Sequence, residues 1–359
     1  MLLVGTMLLA GCGAKNTSDG ESEKDNQGTA NLKVAAMLNG NLGDKSFYDS
    51  ANEGMQRMKD ELGVEIKVVE SGYDETKWEP ALIDLCEEDW DIIITGTWQM
   101  TDYVTQASED YPDKKFIVFD TSVDYTDGKN ANVYSIEYKQ NEGSYLAGAI
   151  AASITESGKI GLIGGMDIPV INDFVVGYIQ GAVDTKSDIQ IATAYIGNFD
   201  DPAKGKELGL AQIDLGADVL FPVASTAGNG ALEAAKEKDI PAIGVDCDQA
   251  LLFQEAGDEE LANLIMTSVL KEVGNSLVRA IELELNGGGA PWGETEQLGI
   301  QEEAIGLAKN EIYETALSQE LRDKIEELEG QINRGEIEVK SAYGMSTEEI
   351  NELKNSVAP

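Results

Sequence analysis

Short apolar runs alternate with segments of helical periodicity along most of this chain. Apolar runs rich in β-branched residues predict strands at residues 32–38, 64–70, 91–96, 115–120, 132–138, 159–165, 189–197, 217–223 and 241–246. Apolar positions at helical spacing predict helices at residues 46–62, 77–88, 99–109, 142–155, 171–185, 202–215 and 229–238. This alternation is typical of α/β proteins whose parallel sheets are covered on both faces. The units are too many for one compact sheet, which predicts two doubly wound lobes.

The region after Asp246 departs from this regular alternation. Residues 262–288 predict a strand and then a long helix that ends in glycines, as helix C-termini often do. From Gln301 the chain is acidic and largely helical in pattern. Apolar residues of this tail recur at helical spacing, at Leu317, Leu321, Ile325 and Leu328. The spacing favours packing against the core; a coiled coil is the alternative, although the apolar stretch is short for one.

Residues 1–12 have the pattern of a signal peptide: a short apolar run that ends in small residues before Cys12. A bilayer span needs about 20 apolar residues, so this stretch is too short for one. Leu9-Ala10-Gly11-Cys12 resembles a bacterial lipobox, whose cysteine is acylated and becomes the mature N-terminus. Because no Lys or Arg precedes the apolar run, we expect the true start to lie upstream. The alternative is an ordinary N-terminal helix with an incidental cysteine.

Residues 13–31 are rich in Ser, Gly, Asn and charged residues and show no apolar periodicity, which predicts a flexible tether. An acylated Cys12 would anchor such a chain to the membrane without spanning it. The sequence therefore predicts a lipid-anchored protein on the outer face of the cytoplasmic membrane. We expect it to be a monomer.

The composition excludes several classes of function. Asp and Glu number 66 against 26 Lys and Arg, so the formal charge is −40, and a polyanion such as nucleic acid would be repelled. The sequence contains no histidine, which removes Ser-His-Asp catalysis and His-ligated zinc. Cys86 and Cys247 are interpreted as buried thiols, with a disulfide as the alternative. We therefore expect a soluble binding protein without cofactor or metal, not an enzyme.

The predicted strands end in residues suited to binding a small neutral molecule. In open α/β sheets, ligands bind beyond the carboxyl ends of the strands. These ends contain polar and aromatic side chains, including Asp44, Phe47, Asp120, Phe174 and Asp246. Such groups can hydrogen-bond hydroxyls and amides and can stack on a flat ring. Few Arg or Lys residues occur there, which disfavours an anionic ligand such as a nucleotide.

Each of these residues also has a structural alternative. Asp44 and Ser46 can cap the helix that follows them, and the aspartates at the other strand ends can begin Asx-turns. The two phenylalanines can belong to the core. The glycines at 228–230 resemble a phosphate cradle only weakly, because no Gly-Lys-Ser/Thr follows. No catalytic set rises above the background of 66 carboxylates.

A series of motifs occurs in order over roughly residues 32–310: Asp44-Lys45-Ser46-Phe47-Tyr48-Asp49, Glu142-Gly143-Ser144-Tyr145-Leu146-Ala147-Gly148, Gly164-Gly165-Met166, Pro169, Phe174-x-x-Gly177-Tyr178-x-x-Gly181, Gly216-Ala217-Asp218-Val219, Gly244-Val245-Asp246-x-Asp248-Gln249 and Thr267-Ser268-Val269-x-Lys271. By these motifs the sequence resembles the basic membrane protein (BMP) family of lipoproteins. The resemblance implies a type I periplasmic-binding-protein fold, with two lobes joined by a hinge, that delivers nucleosides to an ABC transporter permease. On this fold we expect residues 32–140 with about 262–290 to form the N-terminal lobe. Residues 141–261 with part of 291–359 would form the C-terminal lobe and acidic helical tail.

The resemblance also implies roles for individual residues. Phe47 and Phe174 would stack on the two faces of a base, one from each lobe. Asp44 and Asp120 would bind the edge of the base or the ribose from the N-terminal lobe.

The remaining implied contacts concern the ribose and the selectivity for the base. Asp246 and Lys271 would hold the ribose hydroxyls, with the backbone of Gly228 close by. The family commonly has Asn after the motif's Phe, where this sequence has Tyr48. Tyr is bulkier and lacks an amide's paired donor and acceptor, so this difference bears on base selectivity. Trp98 is either a further wall of the pocket or a surface packing residue.

These observations predict an extracytoplasmic lipoprotein that captures nucleosides, purine nucleosides in particular, for an ABC transporter permease. The first alternative is the same fold binding a sugar or a signalling solute. The second is a surface sensor or regulator that uses the fold without transport. A nucleoside hydrolase is the third.

Overall fold

The structure, a computed structural model, describes residues 32–359. The predicted signal peptide, the acylation site at Cys12 and the tether lie outside the described residues. The strands are β1 Lys33–Leu38, β2 Glu65–Glu70, β3 Ile92–Gly96, β4 Lys115–Phe119, β5 Val133–Tyr138, β6 Lys159–Gly164, β7 Gln190–Tyr195, β8 Leu220–Val223, β9 Ala242–Asp246, β10 Ile265–Lys271, β11 Glu294–Leu298 and β12 Ile305–Leu307.

Helices separate most of these strands. The α-helices are α1 Phe47–Leu62, α2 Trp78–Glu87, α3 Thr101–Asp110, α4 Gln140–Ile154, α5 Pro169–Thr185, α6 Pro202–Asp214, α7 Ser225–Lys238, α8 Gln249–Glu255, α9 Glu259–Ala262, α10 Val273–Leu285, α11 Glu311–Ala316, α12 Gln319–Asn333 and α13 Thr347–Ser356. None of the helices within residues 32–359 is both long enough and apolar enough to cross a bilayer.

The strands form two six-stranded sheets. The first has the order β11-β5-β4-β3-β1-β2 and is parallel throughout; the second has the order β12-β10-β9-β8-β6-β7. In the second sheet β12 runs antiparallel to β10, while the other pairs are parallel. Central strands such as β3 are buried on both faces, which is why they are continuous apolar runs. The predicted α/β alternation and the two doubly wound lobes are confirmed.

The first sheet with its helices forms the first lobe, and the second sheet with its helices forms the second lobe. The chain passes between the lobes after β5, after β10 and after β11. The crossing segments lie side by side, since the Lys139 amide donates to the Leu298 carbonyl at 2.8 Å and the Glu272 amide donates to the Ala304 carbonyl at 2.9 Å. Three adjacent crossings of this kind form a hinge about which two lobes can move.

The expected assignment of residues 262–290 to the N-terminal lobe is wrong for the strand that they contain. Helix α10 packs on α1 in the first lobe, where a Cβ at Gly54 would lie 2.6 Å from the Gly274 Cα. Strand β10, however, pairs with β9 in the second sheet. Because both faces of β10 carry apolar residues, Ile265 and Val269 on one and Met266 and Leu270 on the other, its sequence fits the interior of either sheet. Strand β11, from the partly assigned 291–359 region, belongs to the first sheet.

Helices α4 and α5 pack against each other through glycines of the family motifs. A Cβ at Gly181 would lie 1.9 Å from the Tyr145 carbonyl oxygen, and a Cβ at Gly148 would lie 2.2 Å from the Tyr178 carbonyl oxygen. Backbones that approach this closely leave no room for a side chain. These glycines therefore set the position of α5 and of Phe174, which it carries.

The C-terminal tail packs on the second lobe. Its residues Leu317 and Ile325 are buried in the main core, so the prediction of core packing is confirmed. Asp173 of α5 holds the segment before α13, since its Oδ1 accepts hydrogen bonds from the Ser341 hydroxyl at 2.6 Å and the Ala342 amide at 2.8 Å. Burial raises the pKa of Asp173 to about 6.

Candidate functional site

One cleft lies between the lobes, at the carboxyl ends of the strands of both sheets. It encloses a cavity of about 80 Å³. The first lobe contributes Phe47, Tyr48, Tyr73, Thr97, Trp98, Gln99 and Asp120. The second lobe contributes Ile168, Val170, Ile171, Phe174, Phe199, Val223, Ala224, Ser225, Asp246 and Lys271. Most of the lining is apolar, with a few convergent polar groups.

Two phenyl rings from opposite lobes flank the same cation. The Lys271 ammonium lies 5.5 Å from the ring centroid of Phe47 on α1 and 5.7 Å from that of Phe174 on α5. It also lies 5.1 Å from the Tyr138 ring. Such contacts stabilise a cation in an aromatic surrounding. Both phenylalanines therefore lie near the same ammonium, and both line the cleft.

Two carboxylates accompany Lys271 in the cleft. Lys271 extends from the end of β10 and its ammonium pairs with Asp120 at the end of β4, in the opposite lobe. Burial raises the pKa of Asp120, and the neighbouring Lys271 charge lowers it in part. Burial likewise raises the pKa of Asp246 to about 6. When ionised, the carboxylates can accept hydrogen bonds from hydroxyl groups, and Lys271 can donate them.

Asp44 and Ser46 join the lobes. Asp44 accepts hydrogen bonds from the backbone amides of Tyr48 and Asp49, each at 3.1 Å, and thereby caps α1. The Ser225 hydroxyl of the second lobe donates to the same carboxylate at 2.9 Å. Ser46 makes no side-chain cap; its hydroxyl donates to Asp246 across the cleft. The lobes of this structure thus contact each other directly, as expected of a closed arrangement.

Strained backbone conformations cluster at the cleft. Thr97, Asp120, Ser225 and Asp246 all line it and have φ angles of 71°, 62°, 48° and 65°. Positive φ is uncommon for residues other than glycine and is costly for a β-branched one. Such strain is retained mainly at functional sites. The backbone therefore marks this cleft independently of its side chains.

Tyr48 fills the inner surface of the cleft in the first lobe. Its ring meets that of Phe47 edge to face, with centroids 5.1 Å apart. The ring also covers Gly40, where a Cβ would lie 2.0 Å from it. Burial raises the pKa of Tyr48 well above its usual value, so the phenol stays protonated. Tyr48 therefore presents a rigid aromatic wall beside Phe47.

The structure brings most of the sequence-predicted residues to the cleft, but not all of them. Trp98 lines it at the rim, half exposed. Asp44 lies behind the lining, and Gly228 lies in the first turn of α7, packed against Pro222 and Ala224. The predicted helix start at residue 229 is wrong, because α7 begins at Ser225 and includes both Gly228 and Gly230. Ser225, four residues from the helix start expected from sequence, is the lining residue of this segment.

Several lining residues were missed by sequence reasoning. Tyr73, Thr97 and Phe199 each follow the carboxyl end of a strand, so the strand-end rule would have named them had it been applied to every strand. Val170 and Ile171 carry no such signal, because apolar residues in the first turn of a helix look the same whether they face a core or a ligand. Cys86 and Cys247 are not in the lining, and neither forms a disulfide within residues 32–359.

The comparisons with known proteins agree with this geometry. A model of the family of PnrA-like ABC transporter substrate-binding proteins matches residues 31–342. The ABC transporter nucleoside-binding protein BmpA of Lactococcus lactis is 32% identical over 356 residues, covering 94% of this chain and 96% of that protein. Basic membrane protein A of Borreliella burgdorferi is 31% identical over 322 residues, covering 89% and 91%.

A solved structure shows the same fold. The chain is similar to an ABC transporter solute-binding protein of Aeropyrum pernix K1, with a TM-score of 0.76, 23% identity and coverage of 91% of this chain and 99% of that one. The expected periplasmic-binding-protein fold is thereby confirmed.

Proposed function

We propose that this chain, which belongs to the family of PnrA-like ABC transporter substrate-binding proteins, captures nucleosides, and purine nucleosides in particular. As a member of this family it binds a small-molecule ligand and acts together with a permease. Proteins of the family are not enzymes.

The observation that carries the proposal is the pair of phenylalanines from opposite lobes. The ring centroids of Phe47 and Phe174 both lie within 5.7 Å of the Lys271 ammonium. This proximity supports a site in which a flat ring stacks between the two phenyl rings. Stacking on an aromatic side chain contributes about 1–3 kcal/mol per base. The carboxylates of Asp120 and Asp246 can accept hydrogen bonds from sugar hydroxyls beside that ring. The Lactococcus lactis relative is named as a nucleoside-binding protein, which agrees with this reading.

Binding between two lobes also favours lobe closure. Because each lobe supplies part of the site, a ligand binds the closed form better and shifts the population towards it. A nucleoside is uncharged, so the formal charge of −40 neither attracts nor repels it strongly. A permease could then recognise the closed form.

Titration calorimetry of the full chain tests this proposal. We expect adenosine, guanosine or inosine to bind with micromolar affinity or better and to raise the melting temperature. Cytidine and uridine, which offer a smaller ring for stacking, are expected to bind more weakly. Galactose, arabinose and myo-inositol serve as controls for the sugar alternative. Binding of these sugars without binding of nucleosides would contradict the proposal.

The lipid anchor is proposed from the sequence motif at Cys12. Cys12→Ser removes the thiol that an acyl group requires. We expect the variant to move from the membrane fraction of cells to the soluble fraction, which fractionation and immunoblotting would measure. Cys86→Ser is the matched control, since Cys86 is buried in the first lobe, and it should leave membrane retention unchanged. Retention of the Cys12→Ser variant would contradict lipidation. We also propose that the protein is a monomer, which sedimentation would check.

A further inference from the structure

One buried hydroxyl in the cleft forms no hydrogen bond with the described residues. Tyr73 follows β2 and lines the cleft, and its hydroxyl oxygen is buried and has no partner within residues 32–359. Buried polar groups in native proteins are nearly always paired, so an exception calls for an explanation. A ligand that supplies the missing partner is one such explanation.

The hydroxyl of Tyr73 lies where the two lobes meet. The hydroxyls of Ser225 and Thr226, from the second lobe, are its polar neighbours, and the Asp44 carboxylate is also nearby. Ser225 already donates its proton to Asp44 at 2.9 Å. The Tyr73 ring is held by the ring of Tyr48, with centroids 6.2 Å apart. The phenol is therefore fixed in position beside these hydroxyls, while no atom within residues 32–359 accepts its proton with hydrogen-bond geometry.

We propose that Tyr73 is a ligand-binding residue whose phenol donates a hydrogen bond to a hydroxyl group of the bound sugar. The inference rests on the proposed nucleoside function and names one further contact that determines specificity. A sugar hydroxyl suits this place because it is a donor and an acceptor at once. It can accept from Tyr73 and at the same time donate to a second acceptor in the site. A ring nitrogen without a proton could only accept.

This role predicts a change in affinity without a loss of stability. In Tyr73→Phe the ring packing stays, and the hydroxyl that is removed makes no hydrogen bond within residues 32–359. A neutral hydrogen bond of ordinary strength corresponds to about 3- to 10-fold in affinity. We expect adenosine to bind Tyr73→Phe about 3- to 10-fold more weakly than wild type, while the melting temperature without ligand stays the same or rises.

The matched control is Tyr178→Phe. Tyr178 lies on α5, is fully buried, and its hydroxyl likewise has no partner within the described residues, but it does not line the cleft. The same atom is removed, so any general effect of losing a buried phenol appears in both variants. Calorimetry of the full chains with adenosine should show a loss for Tyr73→Phe only. Equal losses in both variants, or a lower melting temperature with unchanged affinity for Tyr73→Phe, would overturn the inference.

Deoxy analogues identify the partner of the phenol. Adenosine is compared with 2′-, 3′- and 5′-deoxyadenosine on both wild type and Tyr73→Phe. We expect one analogue to bind the two proteins equally well, because the hydrogen bond is already absent from that ligand. If adenosine and every deoxy analogue bind Tyr73→Phe more weakly than wild type by the same factor, the assignment to a sugar hydroxyl is wrong.

The failure of this inference is distinguishable from that of the proposed function. Wild-type protein that binds no nucleoside contradicts the proposed function and the inference with it. Wild-type protein that binds adenosine with the same affinity as Tyr73→Phe contradicts the inference alone.

Discussion

Replacing both Phe47 and Phe174 with leucine is expected to weaken the binding of adenosine about 100-fold. Each ring supplies one face of the proposed sandwich, and stacking on an aromatic ring contributes about 1–3 kcal/mol per base. A loss of about 1.4 kcal/mol at each face corresponds to 10-fold in affinity. Leucine keeps most of the buried volume, so the protein should stay folded. Calorimetry of the single and double variants measures the loss of affinity that each ring accounts for.

Phe116→Leu is the control for this experiment. Phe116 lies on β4 and is fully buried, in a cluster of the first lobe that does not include Phe47, and it is absent from the cleft lining. Phe116→Leu should reduce stability by about as much as a single Phe→Leu change in the cleft does. It should leave the affinity for adenosine unchanged. If the Phe47 and Phe174 variants bind adenosine as wild type does, the sandwich is wrong even where nucleosides bind.

Lys271→Met should abolish ligand binding and destabilise the protein. Lys271 is 2% exposed and pairs with Asp120 across the lobes. Removing one partner of a buried ion pair leaves an uncompensated charge, which costs about 3–5 kcal/mol. The variant also lacks the only cation of the cleft lining within residues 32–359. Losing a charged hydrogen bond and leaving a carboxylate unpaired should reduce the affinity for the ligand by about 100-fold or more.

The destabilisation should depend on pH in a defined direction. Burial raises the pKa of Asp120, and the Lys271 charge lowers it in part, so the variant should have a higher Asp120 pKa than wild type. An unfolded Asp has a pKa of about 3.9. A group whose pKa is higher in the folded state favours folding at low pH and loses that contribution as pH rises through the folded pKa. The stability deficit of Lys271→Met should therefore be largest at neutral pH and shrink as the pH falls towards 5, roughly one unit above the unfolded pKa.

Urea unfolding of wild type and variant across this pH range measures the deficit. Lys236→Met is the control, because Lys236 pairs with Asp258 at 2.8 Å on a partly exposed surface of the second lobe. Surface pairs contribute about 0–1 kcal/mol, so this variant should lose little stability and no affinity. A deficit of Lys271→Met that stays constant with pH would contradict the account of the buried pair.

The strands of this protein could be predicted from the sequence because burial on both faces requires continuous apolar runs. β1, β3 and β4 are such runs, and their bounds agree with the prediction within about one residue at most ends. β11 was missed for the opposite reason. It has the sequence Glu-Thr-Glu-Gln-Leu at the edge of a sheet, where one side of the strand faces solvent and no apolar pattern is required.

The candidate site was predictable where one rule applied to it. Asp120 directly follows β4 and Asp246 is the last residue of β9, so their position at the cleft follows from the parallel sheet itself. Phe47 and Phe174 were named among the strand-end residues, and the family resemblance implied their roles as stacking rings. Gly228 shows the limit of such transfer, because the helix of this chain begins at Ser225 and buries the glycine in its first turn.

By itself, the sequence determined the alternation of strands and helices, the residue types at the strand ends and the family. These depend on local periodicity and on motifs whose order survives divergence. Only the tertiary structure decided which lobe holds β10, that Lys271 reaches Asp120 in the opposite lobe, and that Tyr73 meets Ser225 there. These are contacts between segments far apart in the chain. They depend on how the lobes close over the hinge, and no local pattern of residues encodes that geometry.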